Sequence, residues 1–149
     1  MTFKQSLHSY CHSLLSKKIK VLENVLKELG SSSASDTKSS AGDKHETARA
    51  MVQIEQENVG KQLKELLEQR TQLERIDSQA HADQIRKGSL VKTDKGYLYL
   101  SIALGKIVVD GETVVVISPA SPLGIKLIGL KEKNVIEINS NSYQILKIV

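Results

Sequence analysis

Residues 3–29 contain neither proline nor glycine, and along them Leu15, Ile19, Leu22, Leu26 and Leu29 step by four and three. Such a strip lies along one side of an α-helix and is too narrow to cover a globular core. It calls for one partner helix. Leu7, Leu14, Val21 and Val25 widen the stripe, and Gly30 stands where a helix C-terminal glycine belongs. The partner is legible from about residue 47 to about residue 83. There Val52, Val59, Leu66 and Leu73 recur every seven residues, with Leu63 between them and Gln56 and Arg70 in other seam positions. Gly60, in its middle, is either a weak point or a place of close helix approach. The Ser-rich connector "GSSSASDTKSSAG" at 30–42 is long enough to reverse the chain. These features predict an antiparallel coiled-coil hairpin over residues 1–84 with its tip near 31–47. At 1.5 Å per residue, its paired part extends roughly 40 Å. A seam satisfied within one chain predicts a monomer.

After Gly88 the period changes. "SLVKT", "GYLYLSIA", "KIVVD", "ETVVVIS", "NVIEI" and "YQILKIV" are short β-branched runs separated by turn signals. Asp110-Gly111 is a strong hairpin dipeptide, Lys95-Gly96 a weaker one, and "NSNS" at 139–142 a polar connector. "SPLGIKLIGL" interrupts the strands, with Pro122 suited to a first helical turn and Gly129 to a helix end. The fold class is therefore α+β: the hairpin, a joint near 84–88, and a compact β-rich domain over 88–149.

Composition narrows the function. With no Trp, one Phe and four Tyr among 149 residues, a site built on base stacking is disfavoured. A net charge of +4, spread about evenly over the two halves, permits a nucleic-acid neighbour without indicating one. The lone Cys11 excludes an internal disulfide framework. The apolar runs are too short to span a membrane, and no apolar leader with a small-residue cleavage site is visible, so a cytoplasmic protein is expected.

Two stretches resemble a known family. "ISPASPLGIKLIGLKEKNVIEI" followed by "YQILKIV" is similar to the C-terminal signature of the Gre-type (GreA/GreB) transcript cleavage factors of bacterial RNA polymerase. "GDKHETA" at 42–48 resembles that family's hairpin-tip pattern, Gly-Asp-x-x-Glu-Asn-Ala, with Asp43 and Glu46 on its two acidic positions. Thr47 stands in place of the Asn, Arg49 and Ala50 where an acid and an aromatic commonly follow, and Lys133-Asn134 where the C-terminal signature has Gly-Asp. The resemblance implies an FK506-binding-protein-like (FKBP-like) C-terminal domain that docks on RNA polymerase through Ser121, Pro122, Leu123, Gly124, Leu127, Ile128 and Gly129. It implies a hairpin that enters the secondary channel. There Asp43 and Glu46 help hold a magnesium ion shared with the polymerase, which hydrolyses the backtracked nascent RNA 3′ segment. The chain itself is then no enzyme but an accessory factor. The alternative within the same resemblance is a secondary-channel regulator that binds polymerase without promoting cleavage.

The chemistry suits those residue types. Magnesium takes oxygen ligands, retains several waters, and typically uses one or two protein carboxylates with phosphate oxygens. Acids three residues apart at a helix start share a side of the helix, and the helix N-terminus favours their ionised form. The same pair is also a capping-box arrangement, which needs no metal. His45 lies between the acids; a solvated tip histidine is its simpler reading. His8, Cys11 and His12 share a helical neighbourhood, but no Cys-x-x-Cys or comparable zinc set accompanies them. Lys17, Lys18 and Lys20 read as a solvated basic face. A prolyl isomerase would need an aromatic-rich pocket, for which 88–149 offers Tyr97, Tyr99 and Tyr143 alone. A plain coiled-coil scaffold would leave the C-terminal motif unexplained.

Overall fold

The structure, a computed structural model, describes residues 2–36 and 43–149; connector positions 37–42, including Gly42 of the tip pattern, lie outside the described residues. Two long helices, α1 (Phe3–Asp36) and α2 (Asp43–Glu74), precede the strands. These are β1 (Leu90–Thr93), β2 (Gly96–Leu100), β3 (Gly105–Val109), β4 (Glu112–Ile117), β5 (Val135–Ile138) and β6 (Asn141–Ile148), with a short helix α3 (Pro122–Leu127) between β4 and β5. The expected α+β arrangement of two helices followed by a six-stranded mixed sheet is what the chain adopts. Among the described residues no helix is long and apolar enough to cross a membrane. The chain divides into two compact units: Met1–His12 with Thr71–Val149, and Ser13–Arg70.

The Ser13–Arg70 unit is the paired part of α1 and α2. Leu15, Ile19 and Val59 are buried along its seam, while Val52, Gln56, Leu63, Leu66 and Arg70 are half-buried at the other seam positions. Leu22 shares a groove with Gln62, Leu66 and Gln69. In the other unit His12 meets Glu74, so stepping forward along α1 steps backward along α2. The pairing is antiparallel, as the seam required. Several details differ from the expectation. Val21 is 60% exposed and stays off the stripe. Gly30 does not end α1, which continues to Asp36. Gly60 is no point of close approach, because a Cβ there would meet nothing within 4 Å. α2 begins at Asp43 and stops at Glu74, short of residue 83. It stops where Asp77 Oδ1 accepts the Gln79 N–H at 2.9 Å, an Asx-type turn that gives the backbone an alternative to another helical turn.

The other unit is built on the sheet, in the order β3-β4-β2-β1-β6-β5. β2 and β4 pair in parallel; the remaining neighbours pair antiparallel. Two hairpins close on consecutive left-handed residues, Asp110-Gly111 (φ 50° and 79°) and Asn139-Ser140 (φ 51° and 67°), the backbone that tight two-residue turns demand. One face of the sheet carries a core of Ile85, Val91, Leu98, Leu100, Leu127, Ile145 and Ile148, with α3 contributing Leu127. Tyr97 and Tyr99 alternate with Leu98 and Leu100 and so point from the opposite face. They meet the first turns of α1. The Phe3 and Tyr97 rings lie 5.2 Å apart, and His8 Nδ1 is 2.8 Å from the Tyr99 hydroxyl. The start of α1 thus packs as part of the sheet unit, whereas a division at 84–88 assigns it to the hairpin.

Candidate functional site

Asp43 opens α2, so Asp43 and Glu46 occupy its first turn, three residues apart. Glu46 is exposed, as are Arg49 and Ala50 in the following turn. The side chains of Asp43 and His45 lie outside the described residues. Among the described residues no group of three His, Cys, Asp or Glu could hold a metal ion. Two carboxylates match the number magnesium ordinarily draws from a protein, with the remaining positions left to water and phosphate oxygen. Two carboxylates alone do not make a resident magnesium site, which would need further oxygen ligands from elsewhere.

The C-terminal signature residues divide by role. Ser121 caps α3: its Oγ accepts the Gly124 N–H at 3.0 Å and donates to the Ser118 carbonyl at 2.6 Å, with Pro122 in the first turn. Gly124 is obligatory, since a Cβ would collide with the Ser118 carbonyl oxygen. Leu127 is fully buried in the core and Leu123 packs against it. Gly129 follows α3 at φ 90° and donates its N–H to Ile85 at 2.8 Å. These residues shape the segment. What they present outward is Pro122, Ile128 at 45% exposure, and Ile125 at 65%, with Val135 of β5 at 60%. Ile125 was not singled out by sequence. Its place between Gly124 and Lys126 in a helix whose Leu123 and Leu127 face inward is the signal that could have found it.

No family model matches the sequence, and no curated protein matches it. Among solved structures the chain is similar to that of the transcription factor Gfh1, at 16% identity over 92% of each chain and a TM-score of 0.36.

The two His residues of α1 have structural partners, and Cys11 is buried. Burial lowers the pKa of His8, with the charges of His12 and Lys4 adding to it, and burial raises that of Tyr99, with Cys11 adding. Burial thus favours the neutral form of His8, whose tautomer sets which partner donates in its hydrogen bond to Tyr99. Burial pushes the Cys11 thiol up to about 12, which leaves almost no thiolate to act as nucleophile or ligand. His12 Nε2 is 3.0 Å from Glu74 Oε1. Lys4, 4% exposed, donates its Nζ to the carbonyls of Ala80 (2.8 Å) and Val149 (2.9 Å). Burial lowers the Lys4 pKa, Arg86 adds to this, and Asp77 opposes it. Lys17, Lys18 and Lys20 are exposed on α1.

Proposed function

We propose that this protein is a Gre-like accessory factor of RNA polymerase. On this reading its α2 N-terminus is carried into the secondary channel, and Asp43 and Glu46 complete a magnesium site at the polymerase active centre. The observation that carries the reading is the coincidence, in one chain, of a helical hairpin whose second helix opens on Asp43 and Glu46 and a sheet unit bearing the "SPLGIKLIGL" segment. Magnesium bound there would supply a hydroxide-generating Lewis acid and charge neutralisation at the scissile phosphate. This chain's part is to bring two ionised oxygen donors on a helix end and to hold them three residues apart. Docking falls to the exposed Pro122, Ile125 and Ile128 around the rigid α3 turn. RNA polymerase and the nascent RNA 3′ segment are the partners; the bond-breaking machinery is the polymerase's own.

A second reading has its own observation. Arg49 lies one turn beyond Glu46 on an exposed helix, where an acid is common in the family, and a cation at i+3 competes for the same carboxylate. That favours a regulator which occupies the channel without promoting cleavage.

The test is RNA hydrolysis in a stalled, backtracked elongation complex with wild-type protein, Asp43→Asn and Glu46→Gln. Both substitutions keep size and capping ability and remove the charge the ion requires. Under the cleavage reading each lowers the rate by about two orders of magnitude, ~2.7 kcal/mol on the barrier, while polymerase affinity holds. Wild-type protein that binds polymerase yet never accelerates cleavage at any magnesium concentration would transfer the assignment to the non-cleaving regulator.

A further inference from the structure

The 75–89 segment between α2 and β1 folds back on itself beside the start of α1 and forms a half-open cavity of about 210 Å³. Lys4, Arg75, Arg86, Lys87, Asp77 and Ser89 supply its polar lining. Four basic side chains thus share the lining with one acidic side chain. The folding of the segment draws them together. Arg75 follows the last turn of α2, while Arg86 is fixed by a local turn in which its N–H donates to Ser89 Oγ at 3.0 Å and its carbonyl accepts the Ser89 N–H at 3.0 Å. Gly88, at φ 92°, turns the chain next to Ile76 and donates to the Leu100 carbonyl at 2.7 Å. Arg75, Arg86 and Lys87 are exposed residues, whereas Lys4 and Ser89 are buried.

Like charges held around one cavity repel, and in a partly enclosed site solvent screens them less than at an open surface. Asp77 offsets one of the four, and its Oδ1 is already engaged by the Gln79 N–H. Lys4 uses two of its three ammonium donors on backbone oxygens, and Ser89 Oγ, while accepting from the Arg86 N–H, has its own hydroxyl proton as a donor. A surplus of positive side-chain charge and two guanidinium forks around one cavity define the chemistry of a group that would fit it. Arg forks match tetrahedral oxyanions bidentately.

We propose that this cavity binds a phosphoryl group, with Arg75, Arg86 and Lys87 closing on its oxygens beside the buried Lys4 and Ser89. The site is separate from Asp43 and Glu46 and does not depend on the polymerase reading.

The experiment is titration of the full-length protein with inorganic phosphate, pyrophosphate and a short mixed-sequence single-stranded RNA. Binding is followed by calorimetry and by the amide shifts of Gly88 and Ser89. Saturable binding of pyrophosphate is expected, weakened about tenfold or more by Arg86→Gln with Lys87→Gln. Lys106→Gln with Lys126→Gln, which removes the same charge from β3 and α3, should leave it unchanged. RNA that competes with pyrophosphate for the same amides would assign the phosphoryl group to a nucleic-acid backbone; failure to compete would assign it to a small phosphorylated molecule. If neither pyrophosphate nor RNA saturates below about 10 mM, or if binding survives the Arg86/Lys87 double substitution, the proposal is wrong.

Discussion

Leu7 tests whether the first turns of α1 belong to the sheet. It is fully buried, and it lies on one helix face with Lys4, His8 and Cys11, at spacings of three, one and four. His8 touches Tyr99 directly, and Lys4 touches Ala80 and Val149, so this face is set into the sheet unit. Replacing a fully buried leucine by alanine removes its transfer free energy and leaves a cavity, at a cost of about 2–5 kcal/mol. Collapse around position 7 is hindered by its anchored neighbours, which places Leu7→Ala near ~3 kcal/mol in that range. At about 1.4 kcal/mol per tenfold, that corresponds to roughly two orders of magnitude in the opening equilibrium of whichever unit contains the residue. Amide hydrogen exchange separates the possibilities. The slowest amides of β2 and β4, such as Leu98 and Val116, should exchange about a hundredfold faster. Amides near Val59 should be affected far less. Val59→Ala, in the Ser13–Arg70 unit, should show the opposite pattern. Should Leu7→Ala accelerate the hairpin amides and leave β2 and β4 protected, the assignment of residues 1–12 to the sheet is refuted.

Gly60→Ala should stabilise the hairpin by about 0.5–1 kcal/mol, read as a higher urea midpoint, because the added methyl meets open space and relieves the helix penalty of glycine. Stability should also depend on pH through His8. Its folded pKa lies below the ordinary 6.5, so the unfolded chain binds more protons in that window. Stability is then undiminished above pH 6.5 and falls as pH drops through 6.5 toward the folded value. His8→Gln should flatten this part of a plot of urea midpoint against pH; an unchanged slope would show that other groups set it.

Much of the architecture was legible because local signals and long-range packing agreed. The six strands fell where β-branched runs were bounded by residues such as Asp110-Gly111, whose left-handed backbone the turn requires. α3 was readable from Ser121-Pro122 and Gly129 for the same reason. Where local signals were weak, the boundaries slipped. One glycine costs a helix only about 1 kcal/mol, so Gly30 could not stop α1, and an Asx turn at Asp77 ended α2 without any proline or glycine nearby. Lys133 adopts φ 76° where the resembled signature carries glycine, a conformation the residue type conceals. Asp43 and Glu46 stood out because three-residue spacing is a local property. The cations around Lys4 did not, because Lys4 and Arg86 are distant in sequence and only the tertiary fold brings them to one cavity. The same holds for the inward-facing role of Tyr99, which depends on His8 ninety-one positions away.

The uninterrupted course of α1 from Phe3 to Asp36 restricts how this protein can change its length in evolution. Each helical residue turns the face by about 100°. Inserting a single residue between Cys11 and Leu15 would therefore swing the Leu15–Ile19 seam by more than a quarter turn away from the face that holds Leu7. Gains or losses of seven, about two full turns, or of eleven, about three, keep both faces close to phase. Because Leu22 is matched to Gln62, Leu66 and Gln69 on the returning helix, such a change in α1 must be answered by an equal one in α2. Relatives of this chain with longer or shorter hairpins should therefore differ by paired blocks of about seven or eleven residues, one in each arm. Single-residue indels should be confined to the connector and to the loops of the sheet.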